Sequence, residues 1–260
     1  VEKHLLDFTF ILLLLEVLIS LINLWKPNEL ARKISSLLMW LACFSLAGIV
    51  IFRTLAVNRV PFATLYEFTL LLVGFVLIVA LVLRRTLSSP LLDLVVGLLL
   101  LVLLAISSTI STGVRPLMPA LQSNWLHIHV GTAIIAYGAF AVAFCLGIMY
   151  LTTSQDSNTN LHSIDQNIYK LVVIGFTFLN IVIITGAVWA EEAWGKWWSW
   201  DPKETWSLVT WIVYAIYLHV RHTREWKGRK AAWMAVLGFL VVLFTLFGVS
   251  VLLPGLHSYV

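Results

Sequence analysis

Long apolar runs alternate with short polar connections along the whole chain. Eight runs, at 5–25, 34–57, 64–83, 90–108, 125–151, 168–190, 205–222 and 231–253, approach or exceed the roughly 20 residues with which an α-helix crosses a bilayer. Lipid offers the backbone no hydrogen-bonding partner, so a spanning segment must satisfy itself as a helix or close into a barrel. Barrel strands read as short segments of alternating hydrophobicity, a pattern this sequence lacks. The pattern therefore predicts an all-α polytopic membrane protein with about eight transmembrane helices. It reads as a single membrane domain over 1–260, with N-terminal helices in 1–108 and a second half over 125–260. The longer connections fall at 109–124, at 152–167 and at a tryptophan-rich stretch, 189–206.

Composition agrees with that pattern. Of 260 residues, 60% are hydrophobic and 12% charged, too few polar side chains to cover a soluble domain of this length. The first run, 5–25, is expected to be retained as a span, because it is too long for the apolar core of a cleaved leader.

The basic residues give an orientation. Lys26, Arg32, Lys33, Arg84, Arg85, Lys170, Arg221, Arg224, Lys227, Arg229 and Lys230 fall on one side of the predicted topology. Lys3, Arg53, Arg59, Arg115, Lys196 and Lys203 fall on the other. Positive residues concentrate on the inner side of membrane proteins. Both termini and the stretch 189–206 are thus expected to face outward, into a periplasm or a thylakoid lumen. The same bias accounts for the net charge of +4. The basic residues form no aromatic-interleaved patch, so no nucleic-acid partner is expected.

Candidate chemistry is concentrated in the histidines. His129 lies at the outer start of the fifth run, and His257 just beyond the outer end of the eighth. Either reads on its own as an interfacial histidine. Together they could face one another across a flat ligand, as two imidazoles do about a six-coordinate haem iron. His127 competes with His129, since two helical positions put them about 200° apart. Asp201-Pro202-Lys203-Glu204 has the form of a capped helix start. His219, about 18 residues further on, would then lie about 27 Å along the axis, in the inner half of the membrane. It reads either as a snorkelling residue beside Arg221 and His222 or as a ligand in a second, deeper site.

Glu16, Arg53, Glu67 and Asp93 fall within or near spans, where charge is expensive and functional by default. Glu16 and Asp93 are expected to be protonated or paired with Arg53. Cys43 and Cys145 are far apart in apolar runs and form neither a CxxC nor a CxxCH motif. A redox pair and a haem-attachment motif within the chain are therefore not expected.

The stretch "WAEEAWGKWWSWDPKETW" carries six of twelve tryptophans. Trp194, Trp197 and Trp198 have i, i+3, i+4 spacing, which predicts a short interfacial helix presenting all three on one face. Tryptophan serves commonly as an interface anchor. This density exceeds anchoring and suits a shelf for a large planar ligand. Lys196 and Lys203 are placed to meet carboxylates of such a ligand, or Glu191 and Glu192.

"GAVWAEEAWGKWWSWDPKETWSLVTWIVYAIYLHVR", with "LQSNWLHIHV" before it and "GLHSY" after it, resembles the tryptophan-rich (WWD) haem-handling proteins of cytochrome c biogenesis. Within them it resembles the CcsA (ResC) family of the type II system, densely in the second half and loosely in the first. "PFATLYEF" keeps only part of that family's pattern at the third span. The resemblance implies haem export and attachment of haem to the CxxCH motif of apocytochrome c. The chain would act as haem-binding subunit of a holocytochrome c synthase (haem lyase) complex with a CcsB/ResB-type partner. A thioredoxin-like reductant of the apocytochrome thiols is a further implied partner. Haem b would be the substrate and transported ligand. The matching iron ligands are His129 and His257 at an outer site, and His219 at an inner site whose second ligand belongs to the partner. Trp194, Trp197, Trp198, Trp200, Asp201 and Trp206 match the haem-binding segment. No residue reads as a general base. The alternatives are a type I haem chaperone that passes haem to a carrier, and an ion-coupled transporter.

Overall fold

The computed structural model describes residues 1–110, 118–154, 160–253 and 255. Every long element among them is a helix: α1 (Glu2–Trp25), α2 (Glu29–Val57), α3 (Leu65–Leu83), α4 (Pro90–Thr109), α5 (Asn124–Thr152), α6 (Leu161–Trp194), α7 (Pro202–Thr223) and α8 (Arg229–Leu243). A π turn, Phe244–Gly248, continues α8 into a last helical turn, Val249–Leu252. Seven of these helices, with α8 taken through to Leu252, are long and apolar enough to cross a membrane. The remaining one, α7, has 22 residues, enough to span, but carries more polar side chains. The all-α membrane architecture expected from the apolar pattern is therefore present.

Local chemistry sets the boundaries. Asn28, after Pro27, caps α2 by accepting from the Leu30 N–H at 2.8 Å, and Asn58 ends it in the left-handed region (φ 50). Pro90 begins α4 at a position where no N–H is required. Ser123 caps α5 and Asn160 caps α6. Each supplies an oxygen to an N–H that the helix itself leaves unpaired.

The chain divides into two compact units, 1–61 with 65–114, and 62–64 with 115–260. In the first, α1 packs on α2 and α4, and α3 packs on both α2 and α4. Several of its charged side chains are buried in pairs. Glu67 receives Arg53 at 3.2 Å and Arg59 at 2.9 Å. Arg53 also meets Glu2 at 3.5 Å, and Glu2 accepts from the Tyr66 hydroxyl at 2.9 Å. Asp93 pairs with Arg84 at 3.2 Å. The expected pairing of Glu16 or Asp93 with Arg53 is thus corrected. Arg53, three turns from the centre of α2, is taken by carboxylates at its own end of the bundle, while Arg84 reaches Asp93 from the end of α3.

In the second unit α5 packs along α6 most extensively, with α8 on its other side and α7 bridging α6 and α8. The Phe140 ring of α5 stacks flat on Tyr214 of α7, with centroids 3.6 Å apart. Near the other end, Arg221 of α7 grips Asp165 of α6 through two bonds of 2.8 and 2.7 Å. The Gly228 N–H adds a third donor to the same carboxylate at 2.9 Å. That carboxylate ties α6, α7 and the turn into α8 together, so α7 is fixed at its C-terminal end.

Candidate functional site

The α5–α6 seam places His129. Val182, Gly186 and Trp189 recur at i, i+4 and i+7, so they form one face of α6. His129 lies over that face. Its Nδ1 is 2.9 Å from the Val182 carbonyl oxygen, a partner that can only accept. Nδ1 therefore carries the proton, and the ring's lone pair resides on Nε2. The imidazole also stacks on Trp189, with centroids 6.1 Å apart and planes 24° apart. Gly186 provides the room: a Cβ there would stand 2.8 Å from the His129 Cε1.

Trp189 is in turn fixed. It is buried, and its Nε1–H donates to the Ala120 carbonyl at 2.8 Å. This ties the short 3-10 turn Pro119–Leu121 to α6. One turn further along α6, Glu192 accepts from the Ser123 hydroxyl at 2.8 Å. Ser123 meanwhile caps α5 by accepting from Trp125 N–H at 3.1 Å. Three bonds thus set the first turns of α5 against the last turns of α6, with His129 between them. Trp194 meets Trp189 edge-on, centroids 4.9 Å apart, and extends the aromatic surface beyond it. His127 points elsewhere, toward Phe62 at 5.8 Å.

The tryptophan-rich stretch departs from expectation in one respect. Trp194, Trp197 and Trp198 do not share a helical face. The residues Trp189–Trp194 are the last turns of α6 itself, and Gly195 stops the helix with φ 71 and its N–H on the Glu191 carbonyl. Glycine takes that left-handed position without a Cβ penalty, so the i, i+3, i+4 register breaks where it would have to continue. Residues 196–201 are non-helical. Trp197 and Trp200 are exposed, and Trp200 holds a positive φ of 59. Trp198 meets Trp200 edge-on at 5.8 Å.

The loop is shaped by the helix that follows it. Asp201 and Glu204 form the expected capping box at the start of α7. The Glu204 carboxylate collects the Ser199 N–H at 2.7 Å, the Ser199 hydroxyl at 3.2 Å and the Asp201 N–H at 3.1 Å. A single buried side chain therefore gathers the loop's backbone. Trp206, one turn into α7, packs on Phe244 of the π turn at 4.4 Å. Its carbonyl accepts from Thr210 at 2.8 Å and from Thr245 at 3.3 Å. Gly255 lies so close to Asp201 that any Cβ on it would collide with the carboxylate. The chain beyond α8 is thereby brought to the start of α7. His257 lies outside the described residues. Lys196 and Lys203 form no ion pair among the described residues. His219 is exposed in the closing turns of α7.

Comparison with known proteins gives the family of the chain. The family model described as cytochrome C assembly protein matches residues 10–257. The chain belongs to the cytochrome c assembly protein family. It is 34% identical to the cytochrome c biogenesis protein CcsA of Guillardia theta, over all of this chain and 98% of that one. It is 35% identical to the CcsA of Prochlorococcus marinus (strain MIT 9303), over 96% and 91% of the two chains. The CcsA of Chlamydomonas reinhardtii is 49% identical over 55% of this chain, and the match spans 43% of that longer relative. Among solved structures, the cytochrome c heme lyase CcmF superposes with a TM-score of 0.73 at 17% identity. That match covers 95% of this chain but only 46% of CcmF, so what is shared is the fold.

Within this assembly-family chain, three contributors were not legible from motif reading: Gly186, the Val182 carbonyl and Ser123. The one sequence signal was a glycine three residues before Trp189, in an otherwise apolar run.

Proposed function

We propose that the chain handles haem for cytochrome c assembly, as the haem-binding subunit of a haem-attaching membrane complex. Haem b is its substrate, taken at an outward-facing site with His129 and His257 as axial ligands. The observation that carries this reading is the His129 imidazole. A backbone acceptor holds Nδ1 and an aromatic plane holds the ring, so the imidazole is oriented and its lone pair is on Nε2, the tautomer in which an imidazole ligates iron. Such partners fix a ligand's tautomer and raise its basicity. Trp194 and the loop bearing Trp197, Trp198 and Trp200 supply flat apolar surface for the macrocycle, and Asp201 anchors that loop. Trp206 fixes the helix on which the loop ends.

His219, on α7, serves a second, inner site, with its other axial ligand from a CcsB/ResB-type partner. An apocytochrome presents a reduced CxxCH motif at the outer site. Each thiol adds across a vinyl group: the sulfur–carbon bond forms at one vinyl carbon, and a proton ends on the other. This chain's residues position the reactants and control the iron's ligation, while the cofactor carries the chemistry. The basic-residue bias supports the sidedness.

The test is co-expression with a CcsB-type partner and a CxxCH reporter. Wild type is compared with His129→Ala, His257→Ala and His219→Ala. Each variant is expected to lose holocytochrome, with altered haem spectra of the purified complex. If all three mature the reporter with wild-type spectra, the ligand assignment fails.

A further inference from the structure

The first unit buries a carboxyl group that its surroundings do not neutralise. Glu16, in the middle of α1, is 0% exposed. Two hydroxyls reach it, Ser20 at 2.6 Å and Ser35 of α2 at 3.0 Å, and both donate to Oε1. Oε2 is buried without a hydrogen-bond partner. It rests against α4 at Gly97, where a Cβ would collide with it. The charged groups facing Glu16 are Asp93 of α4 and Arg84 at the end of α3. Arg84 is committed elsewhere: to Asp93 at 3.2 Å, to the Ser35 hydroxyl at 3.1 Å and to the Arg32 carbonyl at 3.1 Å. An ionised carboxylate here would have one bare oxygen in an apolar bundle and a second carboxylate for a neighbour, which is the arrangement proteins avoid by neutralising the group.

We propose that α1, α2 and α4 enclose a proton-binding site at Glu16, in which Oε2 carries the proton. The close approach of Gly97 leaves no space at Oε2 for a metal ion with further oxygen ligands, and no metal-ligand cluster occurs among the described residues. Ser35, which donates to Glu16, itself receives Arg84, and Arg84 also donates to the Arg32 backbone carbonyl. Loss of the proton yields a carboxylate and a proton delivered to solvent. A buried ionisable group in a spanning helix is costly and marks a functional site by default.

The full chain, purified from membranes into nanodiscs, tests this by infrared spectroscopy. Wild type is expected to show a carboxylic-acid carbonyl band at neutral pH that is absent in Glu16→Gln and shifted in Ser35→Ala. The melting temperature of wild type is expected to fall relative to Glu16→Gln as pH rises, because the neutral amide has no proton to lose. Three results would overturn the proposal. One is an ionised Glu16 at neutral pH, and another is a band that moves with sodium concentration at fixed pH, which would make the ligand a monovalent cation. The third is a Glu16→Gln chain that fails to fold, since glutamine keeps the shape of the neutral carboxyl group.

Discussion

The His129 imidazole occupies the space that a side chain at Gly186 would take: a Cβ there would lie 2.8 Å from Cε1 and 2.9 Å from Nδ1. The two residues lie on different helices, so their fit couples the α5–α6 packing to the orientation of the ring. Gly186→Ala is expected to leave the helices assembled, because the ring can turn away. It would break the bond from Nδ1 to the Val182 carbonyl. Loss of such an orienting partner weakens metal binding on the order of tenfold or more. Haem content of the purified complex, compared with His129→Ala, checks this. Gly186→Ala should fall between wild type and His129→Ala, and equality with wild type would detach Gly186 from ligand placement.

Trp189 has two separable roles, one through its ring plane and one through its N–H. Trp189→Phe keeps an aromatic face for His129 but loses the 2.8 Å bond to the Ala120 carbonyl. A neutral hydrogen bond contributes about 1 kcal/mol net. The expected outcome is a small stability loss with faster proteolysis around 119–121 and little change in haem content. Trp189→Leu removes both and should also lower haem content. Faster proteolysis together with lower haem content in Trp189→Phe would mean that the two roles cannot be separated.

The helices were legible in the sequence because lipid forces every spanning segment into one long apolar run. The capping box at Asp201 and Glu204 was legible because it depends on four adjacent residues. The shelf formed by Trp194, Trp197 and Trp198 was misread, since its spacing fits a helix and the stop depends on Gly195 taking a positive φ. The partners of His129 were not readable in advance. Val182 contributes a backbone carbonyl, which every residue has, and Gly186 contributes an absence, which shows only when the two helices are docked. Arg84–Asp93 was hidden for a similar reason: their separation in sequence is small, but the choice of Arg84 over Arg53 is made by helix packing.

Glu204 holds the tryptophan loop by three donors from Ser199 and Asp201. Glu204→Ala leaves those buried donors unsatisfied, at a cost of about 1–3 kcal/mol. Glu204→Gln keeps one acceptor oxygen and should lose less. Hydrogen exchange at the Ser199 and Asp201 amides is the direct readout. Exchange is expected to be fastest in the alanine variant and intermediate in glutamine. Unchanged protection in Glu204→Ala would show that the loop is held by its tryptophans instead.

Trp200 offers a way to separate fold from function in that loop. It is exposed and holds a φ of 59, a region that costs a side chain and that glycine occupies freely. Trp200→Gly should therefore leave the melting temperature unchanged or raise it. If the ring contacts the haem macrocycle, the same variant loses haem and reporter maturation while remaining well folded. Trp200→Phe, which keeps a smaller plane under the same backbone demand, should retain part of both. A glycine variant with full haem content would assign Trp200 to the membrane surface and leave the macrocycle to Trp194, Trp197 and Trp198.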